Sequence, residues 1–103
     1  MNKVSIYVPT TIYDKPADML AAQVAVWVAR RLSSLYGGAT KTPGIGYYVA
    51  DNGSLIIEPV HIVSSLYDVD NPCAVNRIAR VIKRVMSQES VLIERTQSEV
   101  TFL

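Results

Sequence analysis

A glutamate and the only histidine of the chain, Glu58 and His61, lie three positions apart in IIEPVHI. A carboxylate that orients an imidazole makes a general base, so the pair invites a catalytic reading. The spacing works against it. In an unbroken strand, residues separated by an odd number of positions point to opposite faces, and only a bulge at Pro59 would bring these two together. No nucleophile stands beside them, since Ser64 and Ser65 are near only in sequence. The sequence therefore assigns no catalytic residue: Glu58 reads as a hairpin carboxylate and His61 as a structural or interface histidine.

The segment GGATKTPGIG resembles a phosphate-binding loop only in composition. Such a loop places glycine directly before its lysine and leads from a strand into a helix. Here Ala39 and Thr40 precede Lys41, and the helical pattern lies upstream. Gly37 and Gly38 read as a helix cap, and Gly44 and Gly46 as room for close backbone approach within a strand. Cys73 is the single cysteine, which excludes an internal disulfide. No cysteine and histidine spacing suits zinc, so neither a metal nor a cofactor is expected.

Four cations form the sharpest surface feature. Arg77, Arg80, Lys83 and Arg84 fall on the side of a helical wheel opposite Ile78, Ile82 and Val85, and no acid lies between Asp70 and Glu89. Such a stripe grips an acidic protein surface or, as the lesser alternative, phosphates of nucleic acid. The ordinary reading is a solvated face whose charges suit a helix C-terminus. Arg31 falls among the apolar positions of an earlier helix, where it snorkels or pairs with a partner's carboxylate. Six tyrosines against one phenylalanine supply amphipathic contact groups, but not in the aromatic pattern of an RNA-recognition sheet.

These residues need elements to hold them. Val4, Ile6 and Val8 alternate in a first strand ended by Pro9. Asp14, Pro16 and Asp18 carry helix-start chemistry, which predicts a helix over about 16–36. Its core side is Leu20, Val24, Trp27, Val28, Leu32 and Leu35, with Ala22, Ala25 and Ala29 as a small-residue strip and Met19 and Val26 on the polar side. D-N-G at 51–53 predicts a hairpin between strands at 45–50 and 54–66. Asp68, Asp70 and Asn71 before Pro72 open a second helix over 72–87 with an apolar stripe of Val75, Ile78, Ile82, Val85 and Met86. VLIERT and EVTFL then close the chain as a strand or two short ones. The order β-α-β-β-α-β predicts an α+β, ferredoxin-like fold, an antiparallel sheet with both helices on one face.

The succession GGAT, GIGYY, DNGSLIIEP and, after the second helix, SQESVLIERTQSEVTF resembles a family of small bacterial proteins of unknown function. That resemblance spans roughly residues 37–102, implies a ferredoxin-like fold and implies no activity. The first strand and helix add no motif to it. The chain lacks the lipoprotein-like leader of some such proteins, which argues against an envelope location.

At 103 residues the chain is expected to form one domain, 1–103. Half of its residues are apolar, 18% are charged and the net charge is +1, which excludes a disordered chain and any global attraction to nucleic acid or acidic membranes. The apolar run MLAAQVAVWVA is about half of a bilayer crossing, so no membrane is expected, and the lone cysteine suits a reducing cytoplasm. The uncovered sheet face predicts a homodimer. Binding is preferred over turnover: a non-enzymatic interaction module using the basic helix, in one version a phage or mobile-element inhibitor of a host defence protein. The alternative is a dimeric α/β-barrel enzyme or small-molecule-binding protein with a pocket near Tyr7, Tyr47, Glu58, His61 and Tyr67.

Overall fold

The computed structural model describes residues 1–103. The chain runs β1 (Asn2–Pro9), β2 (Thr11–Ile12), β3 (Lys15–Pro16), α1 (Asp18–Tyr36), β4 (Thr40–Val49), β5 (Leu55–Tyr67), α2 (Pro72–Val85) and β6 (Ile93–Gln97). Four strands form an antiparallel sheet in the order β4-β5-β1-β6. Both helices cover one face of it, which is the ferredoxin-like α+β arrangement that the element order predicts. No helix is long and apolar enough to cross a membrane.

Alternation along β1 decides what the sheet buries. Val4, Ile6 and Val8 are fully buried beneath the helices. They join Val63 of β5, Val28 and Leu32 of α1, and Ile78 and Ile82 of α2 in one apolar core. The centre of the α1 face sits at Ala21 and Ala25, both fully buried, while Leu20, Trp27 and Leu35 pack at its margins. Small side chains let the helix axis come close to the sheet, so the buried side is rotated from the one the large residues mark. Val85, expected in the α2 stripe, is 38% exposed because the helix ends there, and Met86 takes the buried place.

Three local expectations change. Tyr13 and Asp14 both have positive φ, 49° and 62°, and form the two-residue turn between β2 and β3. Asp14 and Pro16 thus belong to a small hairpin, and α1 starts at Asp18 with no side-chain cap at Ala17. Gly37 closes α1 at φ 91°, as a left-handed cap. At the other end of the chain, EVTFL forms no strand, and β6 stops at Gln97. The α2 start is as the sequence suggests, with the Asn71 side chain accepting from the Ala74 N–H and Pro72 in the first turn.

Pro59 neither bulges β5 nor breaks it, since the pairing with β4 keeps one register from Thr40↔Ser64 to Val49↔Leu55. The β1 ladder ends at Pro9↔Val60, so the nitrogen of Pro59 faces a side where no strand is waiting for a donor. Its carbonyl on that side accepts the Thr10 hydroxyl at 2.6 Å. Thirteen residues at about 3.3 Å each make β5 about 43 Å long, close to the 46 Å length of the molecule. Because β1 reaches only Val60, the distal halves of β4 and β5 project as a two-stranded arm.

Candidate functional site

The uncovered face of the sheet carries a groove of about 550 Å3, within the range of small-molecule sites. Its floor is Val60 and Ile62 of β5 with Gly44 and Gly46 of β4, and its walls are Tyr7, Tyr48, Glu58 and the Gln88–Leu92 segment between α2 and β6. The floor is low because two glycines stand where side chains would rise. A Cβ at Gly44 would lie 3.1 Å from Ile62 Cδ1 and 3.4 Å from Val60 Cγ2. Gly44→Val is therefore expected to fill the groove and weaken ligand binding at least about tenfold, with the far-UV spectrum unchanged; undiminished binding would place the ligand elsewhere.

Glu58 is the only charged side chain lining the groove, and it is 7% exposed. Both of its oxygens are held: Oε1 accepts the Tyr48 hydroxyl at 3.1 Å, and Oε2 accepts the Thr11 hydroxyl at 2.6 Å. The β4–β5 register sets the first contact, since Glu58 pairs with Gly46, and Tyr48, two residues further along β4, shares its face of the hairpin. The β2–β3 hairpin sets the second. Gln88 pins that hairpin by donating to the Thr11 carbonyl at 3.0 Å and to the Met86 carbonyl at 2.8 Å. Burial, then the hydrogen bond to Glu58 and its charge, raise the Tyr48 pKa above 10.0, so the phenol remains a donor through neutral pH. Tyr7 makes the parallel arrangement with Glu94, donating at 3.2 Å, and is raised for the same reasons.

The five residues named for a pocket do not surround one cavity. Tyr7 and Glu58 lie on the groove face. His61 pairs across the sheet with Val8 and Pro43 on the helix side, so the regular strand keeps it away from Glu58. Tyr47 is on the same side, 66% exposed on the arm. Tyr67 is buried at the far end, stacked on Tyr36 with centroids 5.1 Å apart, and Tyr36 donates to Asp70, which also pairs with Arg95 at 3.0 Å. Arg77, Arg80, Lys83 and Arg84 are all exposed on α2, on the helix layer and away from the groove. A larger hollow of about 770 Å3 near the termini, around Met1, Asp68 and Glu99, is open surface with a mainly polar lining.

Burial first, and Lys41 second, lower the His61 pKa below 6.5 against an opposing pull from Asp18. The folded chain therefore holds this proton less tightly than the unfolded chain. The contribution is complete above pH 6.5 and is lost as pH falls toward the lowered value. The thermal midpoint of the wild type is expected to drop more steeply between pH 7 and about pH 5 than that of His61→Gln. Parallel curves would remove His61 as a source of acid sensitivity.

Residue reasoning missed Thr11, Tyr48, Gln88 and the two glycines as one set. The hairpin turn, with Gly53 at φ 85°, fixes the register, and that register alone places Gly46 opposite Glu58 and Tyr48 beside it. Thr11 and Gln88 come from segments whose approach no local pattern records.

No known protein family matches the sequence, and no curated protein does. Solved structures do resemble it. A phage SAM lyase in complex with S-methyl-5'-thioadenosine is similar over 93% of this chain and 80% of its own, with a TM-score of 0.70 at 19% identity. CutA from Synechococcus elongatus PCC7942 is similar over 94% and 75%, with a TM-score of 0.56 at 12% identity. The periplasmic divalent cation tolerance protein CutA from Archaeoglobus fulgidus reaches the same TM-score at 14% identity over 98% and 86%. At these identities the likeness is one of fold: two helices packed on an antiparallel sheet.

Proposed function

We propose that the chain binds S-adenosylmethionine in the sheet-face groove and cleaves it to S-methyl-5'-thioadenosine. The observation that carries this reading is the lone buried carboxylate in an otherwise uncharged groove, on a fold similar to that of a phage SAM lyase solved with S-methyl-5'-thioadenosine. A sulfonium is a compact cation with apolar substituents, and it suits a site with one carboxylate, tyrosine rings and an aliphatic floor.

The bond to be broken follows from the product. S-methyl-5'-thioadenosine keeps the methyl and ribosyl groups on sulfur, so the sulfur–carbon bond to the amino-acid arm is cleaved and its electron pair returns to sulfur. Both Glu58 oxygens are occupied by hydrogen bonds, which makes Glu58 a poor nucleophile. The arm's own carboxylate supplies the replacing pair and closes a lactone, with no proton taken from the ring-forming carbon. Glu58 holds the cation in register, Tyr48 and Thr11 hold Glu58, and the aliphatic floor of Val60 and Ile62 receives the apolar substituents on sulfur. As charge on sulfur disappears in the transition state, a site of low polarity favours the reaction.

A second reading is the non-enzymatic module, self-associated and acting on another protein. Ile45, Tyr47, Val49, Leu55 and Ile57 favour its self-association: they share the helix-side face of the arm and are 56–69% exposed. A two-stranded arm is marginal in water by itself, and a second copy of the chain would cover this face. Incubating purified protein with S-adenosylmethionine and resolving the products by chromatography and mass separates the readings. Formation of S-methyl-5'-thioadenosine with a four-carbon lactone supports the lyase. An unchanged substrate at high protein concentration sinks it and leaves the interaction module.

A further inference from the structure

On the opposite side of the molecule from the groove, α1 and α2 leave a cleft of about 330 Å3 lined by Trp27, Arg31, Leu35, Arg77, Ile78 and Val81. The Arg31 guanidinium stands 5.9 Å from the centre of the Trp27 ring, within reach of a cation–π contact. The one ion pair in the structure joins Arg95 to Asp70. Arg31 and Arg77 at the cleft's rim therefore have no carboxylate partner, and neither do Arg80, Lys83 and Arg84 along α2. Glu89, the nearest acid in sequence after the stripe, borders the hollow of Arg80 and Lys83 without reaching ion-pair distance.

We propose that this cleft docks an acidic amphipathic helix of another protein. An apolar side chain would enter between Trp27 and Val81 onto the floor of Leu35 and Ile78, and acidic residues on either side of that anchor would meet Arg31 and Arg77 and then the rest of the stripe. The charge complementarity is direct: two unpaired arginines border the apolar slot and three more unpaired cations continue along α2, on a chain whose net charge is only +1. An apolar slot with a single aromatic ring fits a side-chain anchor on a helix better than a run of stacked bases. The site is separate from the groove and does not depend on the lyase reading.

Trp27 is the only tryptophan, so its fluorescence reports the cleft directly. The probe is a synthetic helix of about 15 leucine and glutamate residues, compared with polyglutamate and with an oligothymidine of similar charge. A saturable change with the helix, weakened about tenfold by Arg77→Glu and by high salt, is the expected result. No saturable change, equal affinity for polyglutamate, or tighter binding of the oligothymidine would overturn the proposal. Arg77 is exposed and outside the groove, so the variant is expected to keep its far-UV spectrum and any turnover of S-adenosylmethionine. Failure of docking is thereby distinguished from failure of the lyase reading.

Discussion

Glu58→Gln is expected to lower kcat/KM for the conversion of S-adenosylmethionine to S-methyl-5'-thioadenosine by about 10–10²-fold, chiefly by raising KM, because the carboxylate holds a cation whose charge fades in the transition state; the thermal midpoint is expected to stay close to that of the wild type. The substitution keeps volume and one accepting oxygen, and the hydroxyl that faces the new amide nitrogen can turn to accept from it, so the charge is the main loss. The magnitude follows from burial. At 7% exposure the carboxylate acts on a bound cation through little intervening water, where an ionic contact is worth several times its value at the surface. Glu58 is also the only charged side chain in the groove lining, so no neighbour replaces it. A kcat/KM within about threefold of wild type would mean that the carboxylate serves the fold alone.

Tyr48→Phe supplies the graded comparison. It removes one hydrogen bond to Glu58 without removing the charge, an effect of about tenfold for a bond to an ionised group. If Tyr48 acts by holding Glu58, the two substitutions are not additive: in the Glu58→Gln background, losing the phenol costs less than it does alone. Independent, additive losses would give Tyr48 its own contact with substrate.

The contrast between Glu58 and His61 shows how much of this site the sequence carried. Odd spacing on a strand separates them whatever the fold, and the unbroken register of β5 keeps them apart. Tyr48 was within reach of the same reasoning, because a hairpin centred on Asn52 makes it a neighbour of Glu58. Thr11 was not. It arrives through a turn at Tyr13 and Asp14, two residues with no marked preference for a paired left-handed turn over the helix start that Asp14 and Pro16 imitate. The α1 face illustrates a second limit. Large apolar residues mark which side of a helix is greasy, whereas its distance from the sheet depends on Ala21 and Ala25, whose small size is informative only once the opposing surface is known. The groove is likewise defined by what Gly44 and Gly46 lack, and sequence patterns register side chains more readily than their absence.

That packing leads to the largest expected change in stability. Leu32→Ala is expected to destabilise the chain by about 2–5 kcal/mol. Leu32 is fully buried, in the same cluster as Ile6, Val28, Ile78 and Ile82, so it joins α1 to both the sheet and α2. The surrounding groups are held by strands and a second helix and cannot collapse fully into the space, which adds a cavity term to the lost transfer energy. Against a total of about 5–15 kcal/mol for a domain of ordinary stability, the thermal midpoint should fall by about 10–20 °C. Val26→Ala is the matched control on the same helix: Val26 is 43% exposed, and the change should stay within about 0.5 kcal/mol. A Leu32 variant no less stable than the Val26 variant would mean that α1 does not seat on the sheet in this orientation, and with it would go the placement of the β2–β3 hairpin that brings Thr11 to Glu58.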